Sequence, residues 1–262
     1  MNRSDASTPH LFDLTGHVAV VTGGGTGIGL GFAEGLAHAG ASVALLARDV
    51  ERLESAAERI RRHGHPVIAV GCDVAVESSV REAMDSVVAE LGGLDSCFAN
   101  AGLEGPAAPF VETSLEAFRS VTSVNLDGAF LTMREAARHM IRFGKGGSLV
   151  ATSSMGTRFG MPGRPAYGAS KAGVIAMVNS IAVELARHGI RANCVLPGWV
   201  STALADPILN DEKVGSVLLS RVPQRRWGTS DDFAGIAVYL ASAASAYQTG
   251  DTILIDGGFS IF

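Results

Sequence analysis

Val18-Ala19-Val20-Val21-Thr22-Gly23-Gly24-Gly25-Thr26-Gly27-Ile28-Gly29 joins an apolar run, a glycine cluster and the start of a helical pattern. Val18 to Val21 reads as a buried strand. Gly23, Gly27 and Gly29 then give the spacing G-x-x-x-G-x-G, not the commoner G-x-G-x-x-G. Glycines let the turn close, let backbone N–H groups approach an anion, and set that anion at the positive end of the following helix. A glycine cluster alone is a tight turn. With a strand before it and a helix after it, this one predicts a pyrophosphate cradle built from Gly23, Gly27, Ile28 and Gly29.

The same alternation continues along the chain. Short apolar runs at His17 to Thr22, Ser42 to Ala47, Pro66 to Gly71, Ser96 to Ala99, Gly147 to Thr152, Arg191 to Leu196 and Thr252 to Ile255 predict seven strands. Helical patterns lie between them at Gly27 to His38, Val50 to His63, Ser78 to Leu91, Leu115 to Arg142, Ala166 to His188 and Ser230 to Ala241. Strands separated by helices form right-handed βαβ units, so the expected fold is α/β, a doubly wound parallel seven-stranded sheet of Rossmann type with helices on both faces. Residues 1–11 read as a flexible polar tail and residues 12–262 as a single domain. The long stretch from Trp199 to Gly228 follows the sixth strand and is expected to be a substrate lid.

The 262 residues are 47% hydrophobic and 18% charged, with a formal net charge of -5. That balance, with no basic stripe, argues against a nucleic-acid surface; Arg61-Arg62 and Arg225-Arg226 read as solvated faces. No secretory leader pattern opens the chain and the apolar runs fall short of a membrane span, so the expected location is cytoplasmic. Cys72, Cys97 and Cys194 sit in apolar surroundings without metal-ligand spacing and read as free buried thiols, and no metal site is expected.

At the end of the second strand, where an acid would bind a ribose 2′-OH, the chain has Ala47, Arg48 and Asp49. A guanidinium there suits a 2′-phosphate, which favours NADP over NAD; Asp49 keeps NAD open, or else caps the next helix. Further on, Tyr167 and Lys171 are four residues apart, and Ser154 precedes Tyr167 by thirteen. In a helix that step puts phenol and ammonium on one face, and a tyrosine beside a fixed cation is a candidate proton donor. The glycine turn, Asp73, Asn100, Ser154 and Pro197-Gly198 all follow predicted strands, at the edge where open α/β sheets bind ligands.

These residues, with Cys72-Asp73-Val74, Asn100-Ala101-Gly102, Asn125, Thr202 and Asp256-Gly257-Gly258, make the chain resemble a classical short-chain dehydrogenase/reductase over roughly Leu11 to Phe262. The resemblance implies an NAD(P)-dependent oxidoreductase interconverting a secondary alcohol and a ketone. Tyr167 would be the general acid/base, Lys171 its activator, Ser154 the partner of the substrate oxygen, and Asn125 a brace for a water-linked proton path. It also implies that Asp73 and Val74 contact adenine, Asn100 and Gly102 the neighbouring ribose, and Lys171 the nicotinamide ribose. Pro197, Gly198, Val200 and Thr202 would border the nicotinamide. Ala99 departs from the pattern, where the family often has a second asparagine that braces the sheet.

The helices Leu115 to Arg142 and Ala166 to His188 carry more small and apolar residues than a solvated face needs, and the resemblance implies a homotetramer built on them. Substrate identity is weakly written. Met155, Arg158, Phe159, Met161, Trp199 and Leu204 are candidate lining residues, with Arg158 or Arg164 as a receptor for a carboxylate. The segment Arg221 to Gly228 is similar to sugar-acid and polyol dehydrogenases, while 3-oxoacyl thioester reductases share the rest of the plan. A catalytically silent dinucleotide sensor or scaffold is the alternative from another class; it commonly lacks the tyrosine or the lysine, and both are present here.

Overall fold

Val18–Thr22 (β1) is buried at every position, as a strand covered on both faces must be. In the computed structural model, which describes residues 8–62 and 64–262, it is an inner strand of a seven-stranded sheet. The other strands are β2 (Ser42–Ala47), β3 (Val67–Gly71), β4 (Ser96–Ala99), β5 (Gly147–Thr152), β6 (Ile190–Pro197) and β7 (Thr252–Ile255). Their spatial order is β3-β2-β1-β4-β5-β6-β7 and every pairing is parallel. The chain runs outward from β1 to β3 and returns to β4 beside β1. The order therefore reverses between β1 and β4, which opens a crevice at their carboxyl ends.

Helices cover both faces over two apolar cores. One core joins β1, β2, β4, β5 and β6 to α4 (Glu77–Leu91), α6 (Gly128–Phe143) and α7 (Pro165–Leu185). The other lies under α2 (Gly27–His38), α3 (Val50–Arg61) and α10 (Ala234–Ala241). Close approach needs glycine here: a Cβ at Gly31 would lie 2.0 Å from the Ser230 carbonyl oxygen, and one at Gly35 2.7 Å from that of Ala234. Cys72, Cys97 and Cys194 are free and buried.

Several boundaries differ from the expectation. Within the tail expected at residues 1–11, Thr8–Leu11 forms one helical turn (α1), and residues 1–7 lie outside the described residues. The helix expected to reach His63 ends at Arg61, with His63 outside the described residues. The run expected to be one helix from Leu115 to Arg142 is α5 (Leu115–Thr122), a π-helical turn (Ser123–Asp127) and then α6. Contrary to the expectation of no membrane-length segment, Pro165–His188 is long and apolar enough by length and composition to cross a bilayer. In this fold it packs on β6 and α5 and turns Tyr167, Ser170 and Lys171 inward.

The segment between β6 and α10 leaves and rejoins the body at one point, where Val200 and Gly228 form a parallel bridge. Between those ends, α8 (Asp206–Leu209) and α9 (Glu212–Ser220) stand over the carboxyl edge of the sheet.

Candidate active site

The glycine turn closes the crevice floor. Gly23 and Gly27 adopt φ of +67° and +54°, in the left-handed region where a Cβ is strained. Gly29 has a different reason: a Cβ there would lie 2.3 Å from the Gly23 carbonyl oxygen and 2.6 Å from Asn100 Nδ2. The backbone therefore folds tightly at the start of α2, a shape that fits a pyrophosphate at a helix N-terminus.

Asn100 locks this turn to the neighbouring strands. Its Nδ2 donates to the Thr22 carbonyl at 3.2 Å, its Oδ1 accepts from Thr152 Oγ1 at 3.0 Å, and its backbone N–H donates to Thr22 Oγ1 at 3.0 Å. The ends of β1, β4 and β5 are thus tied by one side chain. The neighbouring Ala99 is buried in the core and takes no part.

Tyr167 and Lys171 project from the same face of α7, with Lys171 Nζ 5.7 Å from the centroid of the phenol ring. The lysine is buried, and its Nζ donates to the Thr152 carbonyl at 2.8 Å. A second tie holds the helix to β5, from Ser153 Oγ to the Lys171 carbonyl at 2.9 Å. Ser154 lies two residues beyond β5; its Oγ accepts from the Gly156 N–H at 3.0 Å and lies beside the Tyr167 hydroxyl.

Asn125 sits in the π-helical turn and is buried. Its Nδ2 donates to the Leu103 carbonyl at 2.8 Å and to Ser170 Oγ at 3.2 Å, and its Oδ1 accepts the Leu103 N–H at 2.9 Å. The turn thereby clamps the loop after β4 to α7. Gly102 lies between: a Cβ there would meet Asn125 Oδ1 at 3.2 Å and Lys171 Nζ at 3.3 Å.

Electrostatics depart from the simple picture of a lysine lowering a phenol. Burial pushes the Tyr167 hydroxyl up, against the opposing pull of Ser154; Glu104 pushes it further up and Arg164 draws it down. Burial also lowers the Lys171 ammonium to about 8. With protein groups alone, desolvation dominates at Tyr167 and the phenol keeps its proton.

A cavity of about 690 Å³ spans this edge. It is lined by Gly23, Gly27, Ile28, Asn100, Gly102, Ser154, Tyr167, Lys171, Pro197, Gly198, Val200 and Thr202 among the expected residues. Gly29 and Asn125 lie behind that surface. Arg48, Asp73 and Val74 lie outside it: Arg48 is exposed beyond β2, Asp73 accepts from the Ala75 N–H at 3.0 Å, and Val74 is buried against Gly128. Asp49 is the N-cap of α3, accepting from the Arg52 N–H at 3.0 Å.

Of the expected pocket residues, Met155, Phe159, Met161, Trp199 and Leu204 line the cavity and Arg158 does not; its charge faces Asp256. The far wall adds Ile208, Val214, Leu218, Arg221 and Phe259, with the Arg221 guanidinium 4.4 Å over the Phe259 ring. Sequence reasoning missed Glu104, which lines the cavity and pairs with Arg164 at 2.9 Å. Its signal was its place two residues after Gly102, in a loop leaving the carboxyl end of β4. Among the described residues no cluster of ligating side chains could hold a metal ion.

Comparison with known proteins gives a consistent picture. The model of the family described as "Enoyl-(Acyl carrier protein) reductase" matches residues 23–260. The sorbose reductase sou1 of Schizosaccharomyces pombe is 38% identical over 253 residues, covering 95% of this chain and 98% of its own length. A short-chain type dehydrogenase/reductase from Mycobacterium marinum superposes with a TM-score of 0.93 at 38% identity, covering 98% of this chain and 100% of its own. A gluconate 5-dehydrogenase from Burkholderia cenocepacia J2315, solved with NADP and tartrate, gives 0.91 at 35% identity, covering 97% and 99%.

Proposed function

Because the chain belongs to the short-chain dehydrogenase/reductase family, an enzyme family acting on CH–OH groups, we propose that it interconverts a secondary alcohol and a ketone of the sugar or polyol class. NADP or NAD is its redox partner and Tyr167 its general acid/base. One observation carries the reading: Ser154, Tyr167 and Lys171 share one cavity with the glycine turn.

The nicotinamide cofactor supplies the hydride acceptor or donor and, when oxidised, a positive ring. The proton steps fall to the chain. In alcohol oxidation Tyr167 takes the hydroxyl proton while Ser154 holds the oxygen; in ketone reduction the same pair donates toward the oxygen on which negative charge develops. A phenol near pH 10 brought to about 7 needs about 4 kcal/mol in favour of phenolate. The surroundings described above oppose that change, so the lysine's charge acts together with the positive ring, in a cleft where water is displaced. Lys171 fixed on Thr152 holds its charge in place, and Asn125 keeps the loop and α7 in register beside it.

Gly23, Gly27, Ile28 and Gly29 form the pyrophosphate cradle, Asn100 and Gly102 border the ribose next to the adenine, and Pro197, Gly198, Val200 and Thr202 border the nicotinamide. Asp73 and Val74 border the adenine. NADP is the preferred form: Arg48 is exposed beyond β2, where a 2′-phosphate would lie, while Asp49 is committed to capping α3. The gluconate 5-dehydrogenase solved with NADP supports the same choice. Self-association belongs to this reading too, since α6 and α7 leave Phe130, Ile141, Phe143 and Val183 exposed.

The test is a screen of sugars, polyols and their keto forms with each cofactor, followed at the nicotinamide absorbance, on the wild type and Tyr167→Phe. Turnover is expected to fall by about 100-fold or more in the variant while cofactor binding persists. A variant as active as the wild type removes the tyrosine from the chemistry. A wild type inert toward all alcohols and ketones sinks the proposal.

A further inference from the structure

The wall around the reacting end of the cavity is apolar at Met155, Phe159 and Met161, and besides Lys171 it carries one charged pair. Glu104 and Arg164 face each other there at 2.9 Å, their side chains 14% and 19% exposed. Arg164 Nη1 also donates to the Gly105 carbonyl at 2.9 Å, which fixes the guanidinium to the loop that bears Glu104. Arg164 precedes Pro165, the first residue of α7, and so stands three residues before Tyr167. Glu104 Oε2 meets the guanidinium. A buried ion pair contributes little net stability, because desolvation offsets its attraction. What this pair does provide is an oriented acceptor beside the catalytic phenol.

We propose that Glu104, oriented by Arg164, is a specificity-determining residue that accepts a hydrogen bond from a hydroxyl next to the reacting carbinol and disfavours a carboxylate at that position. The inference rests on the alcohol/ketone reading and narrows its substrate to uncharged sugars and polyols. A carboxylate accepts hydrogen bonds and donates none, so hydroxyls are its matching partners. A second carboxylate brought to the same partly dry corner meets like charge. Glu104 is the only carboxylate lining the cavity among the described residues. Of the cations there, Arg164 is engaged by Glu104, Lys171 is bound to the Thr152 carbonyl, and Arg221 lies against Phe259 on the far wall. Both members of the pair act on Tyr167, Glu104 favouring the phenol and Arg164 the phenolate, which places them within electrostatic reach of the reacting atom.

The experiment compares four- and five-carbon polyols with the corresponding aldonates, using the full chain with each cofactor. The wild type is expected to favour the polyol in kcat/KM by about tenfold or more. Glu104→Gln should shrink that ratio to within about threefold, mainly through KM, and shift the pH profile of oxidation to lower pH; Arg164→Gln should shift it to higher pH. Faces other than this pair contribute Ser154 and Lys171, which both variants leave in place. Equal or better use of the aldonate by the wild type, an unchanged ratio in Glu104→Gln, or turnover confined to alcohols outside these pairs overturns the inference and leaves the parent reading standing. Absence of turnover with any alcohol or ketone overturns both.

Discussion

Lys171→Met should make the protein more stable while abolishing its activity. The ammonium is buried, has one hydrogen-bond partner in the Thr152 carbonyl and no carboxylate in ion-pair range among the described residues. Burial brings it from 10.5 to about 8. At about 1.4 kcal/mol per pH unit, keeping it charged at pH 7 costs the folded state about 3 kcal/mol. Methionine fills a similar volume without charge, but leaves the Thr152 carbonyl without its partner, a loss of about 1–2 kcal/mol. The net expectation is a gain of about 1–2 kcal/mol, or about 2–4 °C in Tm for a chain of this size. The pH dependence has a definite sign. A lysine whose folded value lies below its unfolded value releases its proton first in the folded state, so the unfolded chain binds more protons between about pH 8 and 10.5. Wild-type stability therefore gains relative to the variant as pH rises through that window. Thermal unfolding of both proteins from pH 7 to 10, with turnover measured alongside, checks the argument. A variant less stable at pH 7, whose difference from the wild type does not change with pH, would refute it.

Arg48→Ala is expected to lower kcat/KM with NADP by about 10- to 100-fold and leave the value with NAD within about twofold, since one charge-assisted contact to a phosphate is worth about 1.5–3 kcal/mol; equal losses with both cofactors would remove Arg48 from 2′-phosphate recognition. Gly31→Ala places a Cβ 2.0 Å from the Ser230 carbonyl oxygen and forces α2 off the segment before α10. The expected loss is about 1–3 kcal/mol in denaturant unfolding, with weaker cofactor binding because α2 carries the glycine turn. Gly235→Ala, where a Cβ meets nothing within 4 Å, is the control and should be neutral or slightly stabilising.

The strands were legible to within about a residue because each is a short apolar run closed by a turn signal, and a strand buried on both faces admits little else. Convergence was legible too. Once the alternation implied a parallel sheet, residues following the strands had to meet at one edge, which is where the structure puts Gly23, Asn100, Ser154 and Pro197. What local pattern could not show was the break at Ser123–Asp127. That stretch carries no proline or glycine to announce it, and its helical periodicity runs on into α6. The π-helical turn coincides with three hydrogen bonds linking Asn125 with Leu103 and Ser170, two donated by its Nδ2 and one accepted by its Oδ1, the partners 22 and 45 residues away. A tertiary clamp rather than a propensity shapes that turn.

The Tyr167 and Lys171 pair marks the boundary between position and energy. A four-residue helical step is geometry, and it puts the two groups on one face whatever surrounds them. Whether a cation lowers a phenol depends on how much water both lose, and that is a property of the packed site. Here burial dominates both groups, raising the tyrosine and lowering the lysine, so each moves toward its neutral form. The same packing that orients the pair therefore opposes the charge separation that catalysis requires, and the imbalance has to be reversed by charge brought in with the bound reactants. Glu104 and Arg164 belong to this account: two residues that composition and motif spacing did not single out as a pair shift the phenol in opposite directions, and the loop after β4 sets which side chain stands there. In a fold whose scaffold is written in apolar runs, the tuning is written in the loops at one edge.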